Sequence, residues 1–159
     1  MQMTKTTRLI LAALFAAVCC VATEFLKIPG PLGYYHLGDG FCMLAGLILG
    51  PVWGGLAAGI GSALADIVTG YAVYAIPTLL IKAAVAVGCW WLAKKMPVVF
   101  AALCAGLLIP VLYGAFEWVV YGPGFVAAVP GNAIQMAIGV VVASVIYPIV
   151  VRIMKGRNQ

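Results

Sequence analysis

The sequence predicts an all-α integral membrane bundle of six transmembrane helices, forming a single domain over residues 1–159, and three observations lead there. Hydrophobic residues make up 65% of the chain and charged residues 8%, against roughly 25% charged in soluble domains; the mean hydropathy is +1.16. The apolar residues fall into runs of about membrane-spanning length, separated by proline and glycine clusters. Lys5, Arg8, Lys94, Lys95, Arg152, Lys155 and Arg157 sit at the ends of those runs, which is where topology signals belong. The net charge of +5 therefore reads as a membrane signature rather than a nucleic-acid footprint. The length leaves room for about six spans and no further soluble domain of ordinary size.

The first predicted helix covers residues 9 to 26. Its apolar run behind a short basic head also fits a signal peptide with a cleavage site near Val21-Ala22-Thr23. The preferred reading is a retained helix, because Ala12 with Ala16 and Ala13 with Ala17 give two overlapping small-xxx-small pairs that let another helix approach closely. Residues 27 to 36 hold two prolines and two glycines and are expected to form an aromatic-rich loop. A short second span runs from Leu37 to Leu49, ended by Gly50-Pro51, and a third from Val52 to Val68. Residues 70 to 76 connect to a fourth helix that has Pro77 in its first turn and reaches Ala93. A fifth helix covers Val98 to Tyr121 with a kink expected at Pro110. After Gly122-Pro123-Gly124 a sixth runs from Gly131 to Met154, with an irregularity at Pro148. Six spans put both termini on one side, and the basic residues make that side cytoplasmic, with Lys27 alone opposite. The expected location is a bacterial-type plasma membrane, crossed several times.

Depth follows from the distance of each residue to the nearest loop, at about 1.5 Å per helical residue. Glu24, Asp39, Asp66, Lys82, Glu117, Asn132 and Gln135 then all fall in the outer half. An ionised group at the centre of a membrane helix costs at least about 2.5 kcal/mol on insertion scales, so this one-sided clustering points to a single polar pocket open to the outside. Tyr34, Tyr35, His36, Tyr71, Tyr74, Trp118, Tyr121 and Phe125 lie in or beside the outer loops. They could stack on a flat ring or simply form the interfacial aromatic belt. Asp66 and Lys82 share a depth on consecutive antiparallel helices, which suggests a structural ion pair, with direct ligand contact as the other reading. Asn132 and Gln135 share a helix face, where Asn132 is either a ligand contact or a helix cap. His36 is the only histidine and has a loop-packing or a ligand role; no metal set accompanies it. Cys19, Cys20, Cys42, Cys89 and Cys104 contain no CxxC pair and read as small buried hydrophobes.

Leu37-Gly38-Asp39, Leu44-Ala45-Gly46, Gly50-Pro51, Gly59-Ile60-Gly61-Ser62-Ala63-Leu64-Ala65-Asp66, Gly70-Tyr71, Pro77-Thr78, Ile81-Lys82 and Pro130-Gly131-Asn132-Ala133-Ile134-Gln135 carry a family resemblance. In these motifs the chain resembles the substrate-binding S components of energy-coupling factor (ECF) vitamin transporters. The resemblance implies a six-helix protein that captures a vitamin or its precursor at the outer face. It further implies a transmembrane T component and two cytoplasmic ATPases as partners, with Ala12 and Ala16, or Ala13 and Ala17, docking on the T component. The pattern is similar to the branch associated with pyridoxine, hydroxymethylpyrimidine, pantothenate or queuosine-type precursors, with riboflavin also in the set. The absence of GxxxxGK[ST] from the sequence excludes ATP hydrolysis by a P-loop in this chain.

The reading is a transport subunit, not an enzyme, with no cofactor and no nucleic-acid partner. Its candidate substrate-binding residues are His36, Asp39, Tyr74, Lys82, Glu117, Trp118, Asn132 and Gln135. A stand-alone secondary transporter is the alternative. An intramembrane enzyme using Asp39, Glu117 and His36 as acid and base groups is a weaker one, since no nucleophile, metal set or cofactor motif accompanies them.

Overall fold

The computed structural model describes residues 4–30, 33–123 and 129–156. Phe125 and Arg157 lie outside these, as do the side chains of Lys27, Tyr34 and Lys155. The chain forms α1 (Lys5–Glu24), a hairpin of β1 (Lys27–Gly30) and β2 (Gly33–His36), α2 (Gly38–Leu49), α3 (Pro51–Val68), α4 (Ala75–Leu92), α5 (Val98–Gly106), α6 (Leu108–Tyr121) and α7 (Val129–Gly156). Among the described residues, five stretches are long and apolar enough to cross a membrane: Lys5–Glu24, Pro51–Val68, Ala72–Leu92, Val98–Tyr121 and Val129–Met154. The shorter α2 completes a six-span bundle, with α5 and α6 sharing one span.

The helix ends follow local chemistry. Thr4 caps α1 by accepting a hydrogen bond from the Thr7 amide at 3.1 Å, so the helix starts four residues earlier than its apolar run. Pro51 opens α3, where a missing N–H costs nothing. Gly50 makes the turn before it at φ +84°, a conformation that favours glycine. Lys94 and Lys95 end the fourth span with their ammonium groups 3.4 Å and 3.9 Å from the ring centroids of Trp90 and Trp91.

At about 1.5 Å per residue, the twelve-residue α2 reaches only about 18 Å, well short of the roughly 30 Å hydrocarbon core. Its place explains this: α2 packs against α1, α3, α4 and α7, and nine of its twelve residues are buried. It is the axis of the bundle, sheathed by protein rather than lipid. Glycines permit that packing. A Cβ built on Gly46 would stand 2.0 Å from the Ala86 carbonyl oxygen of α4, and one on Gly61 would stand 2.3 Å from the Ala16 carbonyl oxygen of α1.

Three expectations about the backbone are corrected. Residues 27 to 36 are not a plain loop: β1 and β2 pair antiparallel with Lys27 opposite His36, and the Leu37 amide donates to the Leu26 carbonyl at 3.3 Å to close the base. The fifth span breaks at Leu107, not at Pro110. A proline ring clashes with the carbonyl four residues earlier, so the discontinuity falls upstream of the residue that causes it. The sixth helix starts no later than Val129 and continues through Pro148 to Gly156.

The first helix belongs to the bundle. Ala12, Cys19 and Ala22 are buried, and α1 packs on both α2 and α3. Cys42 and Cys89 are also buried, whereas Cys20 is half-buried and Cys104 is exposed on the outside of α5.

Replacing Gly61 or Gly46 by alanine is expected to lower stability by about 1–3 kcal/mol through overpacking. Gly156, with open space around it, is the control. Thermal unfolding in detergent checks this, and unchanged midpoints for both core variants would remove the close-approach argument.

Candidate functional site

The polar residues collect at the end of the bundle opposite the termini, around a cavity of about 250 Å³. Thr23 and Glu24 come from the end of α1, His36 from β2, Asp66 and Thr69 from the end of α3, and Tyr71 from the turn beyond it. Tyr74, Thr78 and Lys82 come from the start of the fourth span, Tyr113 and Glu117 from α6, and Asn132 and Gln135 from the first turns of α7. The hairpin packs against α1 and α7.

Asp39 forms the floor of the site. It is fully buried on the first turn of α2 and is absent from the cavity wall. Its Oδ1 pairs with Lys82 Nζ, and its Oδ2 accepts from Gln135 Nε2 at 3.1 Å. Lys82 is 2% exposed and lies 5.2 Å from the centroid of the Tyr113 ring, a cation–π contact. The Tyr113 hydroxyl in turn donates to Thr78 Oγ1 at 2.8 Å. One network thus ties α2, α4, α6 and α7 together beneath the cavity.

This corrects the expected Asp66–Lys82 pair. The two share a depth, but Asp39, on the central helix, receives the ammonium. Asp66 sits half-buried at the cavity wall with Oδ2 lacking a hydrogen-bond partner among the described residues.

The upper wall is aromatic. The Tyr74 ring meets Phe116 edge-on at 5.2 Å, stacks toward Tyr121 at 6.3 Å and approaches Tyr71 at 6.4 Å. Its hydroxyl donates to Glu117 Oε1 at 3.4 Å, while Glu117 Oε2 is buried without a hydrogen-bond partner among the described residues. The wall therefore offers π-faces beside carboxylates and amides, the pattern that orients a polar ring system. Glu24, Asp66 and Glu117 face a single ammonium, Lys82, which Asp39 already neutralises. Among the described residues this charge balance opposes anions and suits a neutral or weakly basic molecule.

Of the residues named from the sequence, His36, Tyr74, Lys82, Glu117, Asn132 and Gln135 line the cavity, and Asp39 lies under it. Trp118 does not line it: it is 59% exposed on the outer surface of α6, because one residue beyond Glu117 is a rotation of about 100° around the helix. Asn132 lies within α7, beyond its first described residue Val129, so it is not the helix cap. Thr23, Thr69, Thr78 and Tyr113 were missed as wall residues. For two of them a signal existed, since Thr78 precedes Lys82 and Tyr113 precedes Glu117 by four residues, on the same helix faces. Ala12 is buried against Ala45, Leu49 and Ala57, and the backbone of Ala16 faces Gly61. Ala13 and Ala17 are exposed on the outside of α1.

A lipid-embedded bundle with a one-sided, aromatic and polar cavity, and a packed apolar core below it, defines a membrane receptor for a small molecule. Residues 3–152 match the family described as the S component of the ECF-type riboflavin transporter, and the chain belongs to that family. It is a multi-pass membrane protein and a transport subunit. A protein of Pyrococcus woesei described as an uncharacterized protein in the gap 3′ region is 34% identical over 129 residues, covering 77% of this chain and 86% of the relative. Among solved structures, the S component of a bacterial ECF transporter superposes with a TM-score of 0.78, covering 96% of this chain and 99% of that one at 20% identity. That likeness establishes the shared fold.

Removing one member of the buried pair, as in Asp39→Ala or Lys82→Ala, is expected to cost about 3–5 kcal/mol, because it leaves an uncompensated charge. The combined Asp39→Leu and Lys82→Met change recovers most of that loss, while Asp66→Asn stays within about 1 kcal/mol of the parent. Thermal unfolding of the purified variants decides; a severe loss in Asp66→Asn would return Asp66 to the ion pair.

Proposed function

We propose that this chain captures a flat, neutral heteroaromatic vitamin at the outer membrane face, with riboflavin as the first candidate. In this reading it delivers the molecule inward together with a T component and two ATPases. The observation that carries the reading is the cavity: the aromatic side chains of Tyr71, Tyr74 and Tyr113 share its lining with the polar groups of Lys82, Glu117, Asn132 and Gln135. At about 250 Å³ it lies just below the roughly 300–1,000 Å³ typical of small-molecule sites. That is room for a ring system with any polar chain extended toward the mouth. The family match moves riboflavin to the head of the expected set, ahead of the pyridoxine-like and pyrimidine-like precursors. The basic residues at the opposite end of the helices orient the mouth outward.

The lack of a P-loop in the sequence means that any ATP-driven step belongs to partners. The exposed Ala13 and Ala17 offer a flat strip on which a partner helix could seat closely, whereas Ala12 and Ala16 are spent on packing α1 within the chain.

The first test is a thermal-shift and fluorescence titration of the purified chain in detergent against riboflavin and a panel of smaller vitamin precursors. Riboflavin is expected to bind one to one and, at one hundred times its Kd, to add about 2.7 kcal/mol to apparent stability. A folded sample that responds to a dicarboxylate and to no heteroaromatic compound would sink the reading.

The docking strip has its own test. Ala13→Leu with Ala17→Leu is expected to leave ligand binding intact while abolishing co-purification with the T component and ATPases. Ala12→Leu is instead expected to reduce folded yield. Full complex assembly by the Ala13/Ala17 variant removes the strip from the interface.

A further inference from the structure

We infer that Asp39 is a positioning residue: it fixes which end of the Gln135 amide faces the cavity, so that Lys82 and Gln135 together read a carbonyl beside an N–H, the edge of a cyclic lactam or imide. The inference rests on the ring-binding reading above and names the chemical feature of the ring that is recognised.

The argument is one of donors and acceptors. Lys82 has only donors, and a salt-bridged carboxylate has only acceptors. With Lys82 on Oδ1, Oδ2 of Asp39 takes the remaining neighbour, which is Gln135, and only the Nε2 end of that amide can approach it. Gln135 Oε1 is left over and accepts no hydrogen bond from any described residue. Because Gln135 lines the cavity, Oε1 is a fixed acceptor there. Lys82 lines it too, and with one N–H given to Asp39 and the Tyr113 ring beside it, its other N–H bonds are donors for the cavity. Tyr113 does not compete, since its hydroxyl is used on Thr78. A donor and an acceptor bound to the two oxygens of one carboxylate are neighbours, as are the C=O and N–H of a lactam. A flavin ring carries such an edge, with an imide N–H between two carbonyls.

The relay makes an unusual demand on Asp39→Asn. Lys82 would hold the oxygen of the substituted side chain, turning its new NH₂ toward Gln135. Gln135 would then present Oε1 to that NH₂ and Nε2 to the cavity, replacing the acceptor by a donor. The test is the ratio of affinities for riboflavin and for 3-methylriboflavin, which lacks the imide N–H, measured by fluorescence titration. The parent protein is expected to prefer riboflavin by at least about tenfold. In Asp39→Asn the preference falls to about threefold or less, because the imide N–H now faces a donor. Gln135→Met, which removes the acceptor while keeping its bulk, collapses the ratio by weakening riboflavin alone, and it decides the matter by itself should Asp39→Asn not fold. A merely structural Asp39 would lower both affinities together and preserve the ratio. Equal binding of the two flavins by the parent, or an unchanged ratio in the folded variants, overturns the relay and leaves the ring-binding reading standing. A folded parent that binds neither flavin overturns the flavin reading and the edge assignment with it.

Discussion

The buried pair of Asp39 and Lys82 is the constraint around which the bundle is arranged. Each ion alone would carry a penalty of several kcal/mol away from water, and only mutual pairing with further hydrogen bonds makes both tolerable. Here Gln135 supplies the second hydrogen bond to the carboxylate and Tyr113 a π-face to the ammonium. The partners come from α2, α4, α6 and α7, so the pair holds only when those four elements stand in one register. Gly139 shows how tight that register is: a Cβ on it would stand 2.8 Å from Asp39 Cβ, so α7 can deliver Gln135 to the carboxylate only because the next turn has no side chain.

The same network gives the cavity a rigid floor. Lys82 and Gln135 already have fixed partners, so a ligand meets groups whose orientation is set in advance, and less conformational entropy is lost when it binds. The wall above is built differently. Tyr71 and Tyr121 are more than 40% exposed, and Glu117 shares its carboxylate with Tyr74 at a long 3.4 Å. Floor and wall thus divide the work: hydrogen-bond pattern below, and adaptable stacking area above.

Much of this was legible in the sequence, and what was missed has identifiable causes. The spans could be read because Gly50-Pro51, Pro97 and Gly122-Pro123 punctuate otherwise continuous apolar runs. The hairpin could not, since two prolines and two glycines within ten residues look like loop, and pairing across a turn depends on partners rather than composition. Pro110 was seen, but its effect falls three residues upstream. The set of polar residues at one end emerged from depth alone, which depends only on distance along each helix. Partnership depends on rotation and on which helices are neighbours. Lys82 was therefore assigned to Asp66 on the preceding helix when it belongs to Asp39, and Trp118 was included although it sits one step around the helix from Glu117. The central position of α2 was foreshadowed only by its shortness.

Beneath Asp39 the bundle is closed. Met43, Leu44, Ile81, Val85, Ile109, Met136 and Val140 belong to one packed cluster. A polar molecule crossing that core would have to part apolar packing and separate helices that Gly46 and Gly61 allow to lie backbone to backbone. Alternating access inside a fixed bundle calls for two halves that can rock about a central site. Here the site is at one end, and four of the elements around it, α2, α4, α6 and α7, are tied together by the network of Asp39 and Lys82. The geometry is that of a receptacle rather than a gate. That geometry favours the proposed partner-driven reading over the stand-alone secondary transporter.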